Sequence, residues 1–160
     1  MSKTQLEINC HCQCGKTSVS LLDTPIARMI CHCTICQEFN QADYGDVTLF
    51  FSKDVQLHDK SQVEFKTYKA PPAVQRGKCS HCHQPSIELF NLPVTPALTL
   101  IPSALIPTGP AAIPISAHIF YHSRVQDIHD QAPKISGYLK SQLAVTKEVF
   151  KGACHKMFTL

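Results

Sequence analysis

Cys31, Cys33 and Cys36 stand within the six-residue run Cys31-His32-Cys33-Thr34-Ile35-Cys36, and two more pairs flank it at a distance, Cys12 with Cys14 and Cys79 with Cys82. Seven of the nine cysteines fall in these three clusters. A structural cysteine in a core behaves as a small isolated hydrophobe. Thiols crowded like these read instead as metal ligands, and zinc is the ion that such a donor set selects.

The pairs Cys12/Cys14 and Cys79/Cys82 are far apart in sequence, the usual design of a closed four-thiolate zinc site whose binding free energy is folding free energy. Cys31, Cys33 and Cys36 are one ligand short of a closed shell. Catalytic zinc keeps three protein ligands and an open position, whereas a structural reading needs a fourth ligand, with Cys10, His11, His32 and His118 as candidates. Three thiolates more than cancel the charge of Zn²⁺ and weaken it as a Lewis acid. The cluster therefore suits direct ligation of a soft donor, such as the thiol of glutathione, better than activation of water.

Other residues invite smaller expectations. His118 sits on a strand beside Phe120 and reads first as a satisfied structural histidine, with a base as the alternative. His32 alternates with Cys31 and Cys33, so in an extended segment it faces away from them. His81 and His83 flank the second pair and are expected at the surface. Cys10 is in phase with Cys12, as spare ligand or core, and Cys154 is a bystander. Glu38 or Asp43 is conceivable as a general acid, though no spacing singles either out. Cys33 and Cys36 also form a Cys-x-x-Cys, which permits a thiol redox role, but no βαβ context surrounds them.

The elements that must position these residues are mostly short strands. Alternation predicts strands over Leu6 to Cys10, Thr17 to Leu22, Ile26 to Ile30, Val47 to Phe51, Val55 to His58, Val63 to Tyr68, Ser86 to Phe90, Leu98 to Ile101 and Ile115 to Tyr121. Asp59-Lys60-Ser61 and Pro71-Pro72 mark turns or loops, Thr34 to Asn40 a turn of helix, and 102–114 a Pro-rich surface loop. Ile135, Leu139, Leu143, Thr146 and Phe150 recur at helical spacing, with Lys147, Lys151, Gly152 and His155 as stop signals, which predicts a helix over Ser141 to Gly152. The fold class is mainly β. Residues 1–133 are expected to form a zinc-binding β domain, and 134–160 a part-helical extension packed on it.

At 160 residues, without Trp, the chain supports one modest core. Its formal charge of +3 is scattered, which offers no case for nucleic acid or an anionic membrane. Met1 to Glu7 lacks a secretory pattern, and the apolar region from Leu89 to Ile115 is broken by six prolines. These features predict a reducing cytoplasm without membrane insertion. Oligomeric state is not readable.

Cys-x-Cys-Gly at 12–15, Cys-His-Cys-x-x-Cys at 31–36, Cys-x-x-Cys at 79–82 and His-Ile-Phe at 118–120 together resemble the glutathione-dependent formaldehyde-activating enzyme (GFA) family, over roughly residues 5 to 125. The resemblance implies a β-tent fold with two zinc ions per chain. It implies that Cys12, Cys14, Cys79 and Cys82 hold a structural zinc and Cys31, Cys33 and Cys36 a catalytic one. It also implies a carbon–sulfur lyase activity in which glutathione and formaldehyde, the small thiol and aldehyde partners, join to give S-hydroxymethylglutathione. The sequence departs from the family pattern at three places. Gln37 and Glu38 stand where a basic residue is usual, Lys78 and His83 replace an aromatic and a Gly around the last pair, and the Trp after His-Ile-Phe is absent. A zinc-stapled binding module without chemistry is the competing reading.

Overall fold

The computed structural model describes residues 6–69 and 74–158, so the Pro71-Pro72 loop and the segment Met1 to Gln5 lie outside the described residues. Among the described residues ten strands follow one another as β1 (Ile8–His11), β2 (Ser18–Leu21), β3 (Ala27–Cys31), β4 (Gly45–Phe51), β5 (Val55–Leu57), β6 (Val63–Thr67), β7 (Val74–Cys79), β8 (Pro85–Phe90), β9 (Leu98–Pro102) and β10 (Ala117–Ile119). Helix α1 (Thr34–Asn40) interrupts them between β3 and β4, and α2 (Tyr138–Phe158) closes the order. The protein is mainly β. No helix among the described residues is long and apolar enough to cross a membrane.

The chain divides into two compact units. The first comprises residues 1–24 and 50–112. In it β1, β2 and β5 form an antiparallel sheet in that order, and β9, β8, β7 and β6 another antiparallel succession. Alternating apolar side chains from these strands meet in a core of Cys10, Val19, Leu21, Phe50, Val63, Ile87, Ile101, Ile106 and Ala111. Between β7 and β8 the directly opposed pair Arg76 and Glu88 is buried, with Arg76 Nη1 donating to Glu88 Oε2. The next residue, Gly77, begins a bulge that shifts the β7–β8 register. A Cβ at Gly77 would lie 2.5 Å from Val63 Cγ1 and 3.0 Å from the Ile87 carbonyl oxygen, so only glycine allows this approach. The strand then delivers Cys79.

The second unit comprises residues 25–49 and 113–160. β3 pairs antiparallel with β4 and parallel with β10. β10 reaches its place beside β3 after a long connection, as parallel pairing requires. Arg28 on β3 grips Asp46 on β4 through Nε to Oδ1 at 2.9 Å and Nη2 to Oδ2 at 2.6 Å. This bidentate pair fixes the two strands just before Cys31.

Two expectations need correction. The strand predicted over Ile115 to Tyr121 is only three residues long, because Phe120 turns into the left-handed region at φ 53° and starts a short 3₁₀ turn. The helix predicted to end at Gly152 runs to Phe158. Gly152 is an interior glycine, and a Cβ there would meet Ile26 Cγ2 at 2.7 Å. Ser141, fully buried, faces the same way and accepts from the Phe120 N–H at 2.8 Å. The periodic apolar residues Leu139, Leu143 and Phe150 point outward, 68 to 74% exposed. Small residues, not the apolar stripe, are what this helix packs inward.

A stability test follows from that inversion. Gly152→Ala should destabilise the protein by about 1 kcal/mol in urea unfolding, because overpacking against Ile26 outweighs the gain in helix propensity. Phe150→Gln should stay within about 0.5 kcal/mol of the parent, as exposed positions do.

Candidate metal centres

The first cluster is built at the ends of two hairpins in the first unit. After β1 the chain turns at Cys12 to Gly15, with the Cys12 N–H on the Thr17 carbonyl at 2.9 Å and the Gly15 N–H on the Cys12 carbonyl at 2.9 Å. After β7 it turns again, with the His83 N–H on the Cys79 carbonyl at 2.9 Å. The Sγ atoms of Cys12, Cys14, Cys79 and Cys82 then all lie within 4.8 Å of one another. Cys12 and Cys14 are 3.4 Å apart, and Cys14 and Cys79 3.7 Å. Four sulfurs at about 2.3 Å from one tetrahedral zinc would stand about 3.8 Å apart. The donor set therefore fits the ion.

Backbone amides support this cluster. The Thr17 N–H points at Cys12 Sγ at 3.3 Å. Burial pushes the Cys79 thiol up, but the Cys82 N–H, the Thr17 hydroxyl and the His81 N–H outweigh it and hold Cys79 at about 5. Thiolate at neutral pH is the form a metal needs.

His83, exposed, closes the second turn at φ 58°. A left-handed residue with a Cβ is strained, which gives a physical reason for glycine at this place in the resemblance. His81 is exposed as expected.

The second cluster belongs to the second unit. Cys31 ends β3, Cys33 is the N-cap of α1, and Cys36 lies in its first turn. A β-strand running into a helix brings i, i+2 and i+5 thiols to one place, because Cys33 is extended (φ −67°, ψ 152°) and the helix then folds Cys36 back. Their Sγ atoms lie within 4.8 Å of one another, with Cys31 and Cys33 at 3.4 Å. The Cys36 N–H points at Cys33 Sγ at 3.4 Å, so a thiol does the work of the usual Ser or Asp cap. Behind Cys36 a Cβ on Gly45 would press on Asn40 Nδ2 at 2.8 Å and Cys36 Cβ at 3.3 Å. The Asn40 amide donates to the Cys36 carbonyl at 2.8 Å.

Among the described residues, no fourth Cys, His, Asp or Glu joins this triad. The candidates for closing it are otherwise placed. Cys10 lies in the core of the first unit, where burial pushes its thiol up to about 11. His11 stands exposed at the end of β1. His32 and His118 hydrogen-bond each other, Nε2 to Nδ1 at 2.9 Å, and His118 Nε2 faces Asp130 Oδ2 at 2.8 Å. Glu38 is exposed and Asp43 accepts from the Gln126 amide at 2.9 Å. Cys154 lies on α2.

The chain of side chains from Asp130 to His32 escaped the sequence reading. Asp130 is 98 residues from His32, and only its burial partners reveal it. The register that makes it possible is a bridge between His118 and Lys134, with the His118 N–H on the Pro133 carbonyl and the Ile135 N–H on the His118 carbonyl. Lys134 first, then His118, holds the Asp130 carboxyl down at about 2. Burial, followed by His118 and Arg124, holds His32 at about 4 and hence neutral. Gln37 was noted only as a departure from a basic residue. Its amide donates to the His32 carbonyl at 2.7 Å and the Ser123 carbonyl at 2.9 Å, tying the start of α1 to the chain after β10.

A mainly β protein with a four-thiol and a three-thiol cluster is a class in itself, and the comparisons agree with it. The family described as glutathione-dependent formaldehyde-activating enzyme matches residues 7–123, and the chain belongs to that family. A crystal structure of a Rhodobacter sphaeroides protein, a structural-genomics target, has a similar fold at TM-score 0.51 and 12% identity, covering 64% of this chain and 90% of that one. No curated protein matches the chain.

Two measurements test this geometry. His83→Gly should raise stability by about 0.5 kcal/mol in urea unfolding without changing metal content, since relief of the left-handed strain exceeds the entropy cost of glycine. Because the Asp130 pKa is lowered on folding, its contribution is present above the unfolded value of about 4 and is lost as pH falls towards 2. The stability gap between the parent and Asp130→Asn should accordingly narrow over that window.

Proposed function

We propose that the protein is a zinc-dependent carbon–sulfur lyase that joins a small thiol to formaldehyde or a related small aldehyde. The observation that carries this reading is the three-thiol cluster of Cys31, Cys33 and Cys36 in a chain of the GFA family. On this reading Cys12, Cys14, Cys79 and Cys82 hold a structural zinc. Zinc held by Cys31, Cys33 and Cys36 supplies a thiophilic, Lewis-acidic centre with a coordination position left over from the protein.

The chain's own part is to keep that position well defined. Cys33 is pinned by the Cys36 N–H, Cys36 by the backing of Gly45 and Asn40, and the segment from His32 to Gln37 by the Gln37 amide. In the reaction a C–S bond forms, the aldehyde C=O becomes C–O–H, and the thiol proton ends on oxygen. No oxidant or reductant is consumed. The acceleration comes from holding two small reactants together and stabilising developing charge on oxygen.

Glutathione is the thiol named by the family. Here Gln37 replaces the usual basic residue and both of its amide hydrogens are engaged by carbonyls, so a glutathione carboxylate finds no cation from that side chain. The preference for glutathione over a carboxylate-free thiol such as 2-mercaptoethanol should therefore be less than about tenfold in kcat/KM, about 1.4 kcal/mol. The clustered free thiols fit a reducing compartment such as the cytoplasm.

Protein purified without chelator should carry two zinc ions per chain and form the S-hydroxymethyl adduct of an added thiol in the presence of formaldehyde. Cys36→Ser should retain one zinc and lose at least about a hundredfold in turnover, an effect of about 2.7 kcal/mol. Full turnover in that variant would sink the lyase reading. A closed second site, inert to added thiol, would favour the binding module.

A further inference from the structure

Helix α2 lies beyond the residues that the family shares, and neither thiol cluster draws a ligand from it. Its outward face is not an ordinary solvated one. At about 100° per residue, Leu139, Leu143, Phe150 and Met157 fall within about 40° of one another, on the side opposite Ser141 and Gly152. They are 74, 68, 68 and 64% exposed, and Phe158 at the end of the helix is 86% exposed. Thr146 interrupts the stripe without needing water, because its hydroxyl donates to the Gln142 carbonyl at 2.9 Å. Large apolar side chains exposed in one line over about 27 Å of helix mark an interaction surface.

Charge says what covers it. Lys140, Lys147 and Lys151 line one flank of the stripe, and all three are exposed. Lys151 is paired with Glu148 at 3.0 Å, while Lys140 and Lys147 have no ion pair among the described residues. The exposed positions of the helix carry no Asp or Glu. Charge that is scattered along the sequence thus gathers here beside apolar side chains. A second copy of the helix offers these lysines no exposed carboxylate. It also packs poorly on itself. Leu143, Phe150 and Met157 recur at one heptad seam position, but the other holds Leu139, Thr146 and Ala153. A strip about 30 Å long and about 10 Å wide covers about 300 Å², well short of the ~800 Å² per partner that a stable protein interface buries. An anionic bilayer needs neither interlocking side chains nor that area. It takes apolar side chains at the acyl boundary and lysines at the headgroups.

We propose that the outward face of α2 is a peripheral docking surface for an anionic lipid bilayer. Leu139, Leu143, Phe150 and Met157 enter the interface, and Lys140 and Lys147 meet the headgroups. The helix lies along the surface, since it is not apolar enough to cross a membrane. Its inward face stays on its own unit through Ser141 and Gly152.

The test is co-sedimentation of the full chain, purified without chelator, with phosphatidylcholine vesicles containing about 30% phosphatidylserine, against pure phosphatidylcholine, in about 0.1 M salt. The anionic vesicles should bind at least about tenfold more tightly, and Lys140→Glu with Lys147→Glu should abolish that preference. Phe150→Gln, a substitution that leaves folding stability unchanged, should weaken binding about tenfold. The chain has no Trp, so Phe150→Trp places a single reporter on the face. Its emission should shift to the blue on anionic vesicles only. No sedimentation with either vesicle overturns the proposal, as does binding that Phe150→Gln leaves unchanged. Self-association without lipid that Phe150→Gln abolishes assigns the face to a second copy. Binding to soluble polyglutamate as tight as to the vesicles assigns it to an acidic protein. Either of those results overturns the bilayer.

Discussion

Four sulfur atoms within 4.8 Å, contributed by two pairs of residues 65 to 70 positions apart in the chain, are the constraint around which the first unit is arranged. Thiolates this close repel by about 4 kcal/mol per pair at the effective dielectric of a protein surface. A dication would reverse the sign of that sum and make the same atoms a staple between two hairpins. The amides aimed at Cys12 and Cys79 favour their ionised form, while the neighbouring thiols push Cys14 up. A metal bound there would contribute its binding free energy to folding.

The strands around the cluster are adapted to deliver sulfur to a point. β7 carries the buried Arg76–Glu88 pair, then a bulge at Gly77, then Cys79. Removing either partner of that pair would take away the opposite charge that the other faces between the strands. In the second unit the bidentate Arg28–Asp46 pair holds β3 against β4 three residues before Cys31. Charged pairs and close glycine contacts thus set strand ends where a small apolar core alone would leave register loosely defined.

The three-thiol cluster differs from the four-thiol one in kind. Its thiols stop at three among the described residues, while His32 Nε2 is joined to His118 Nδ1 and His118 Nε2 to Asp130. Gln37, placed where relatives usually carry a cation, acts here as a backbone tie.

Much of this was legible in the residues themselves. Cysteine spacing is local chemistry, so the clusters at 12–14, 31–36 and 79–82 could be read without any structure, as could α1 and most strands from their alternation. Period-2 and period-3.6 patterns report which residues are apolar, however, and not what stands opposite them. Helix α2 shows the limit. Its apolar stripe is regular in sequence, yet the face that packs is chosen by the close fit of Gly152 on Ile26 and of Ser141 on the Phe120 amide. The short β10 ends at the left-handed Phe120, which no propensity announces. The chain from Asp130 through His118 to His32 required strands and loops 98 residues apart to meet in one register. Residue types and spacing determined which atoms could bind a metal. Only tertiary structure decided which polar groups meet, because hydrogen-bond partners are allotted by packing across the whole chain.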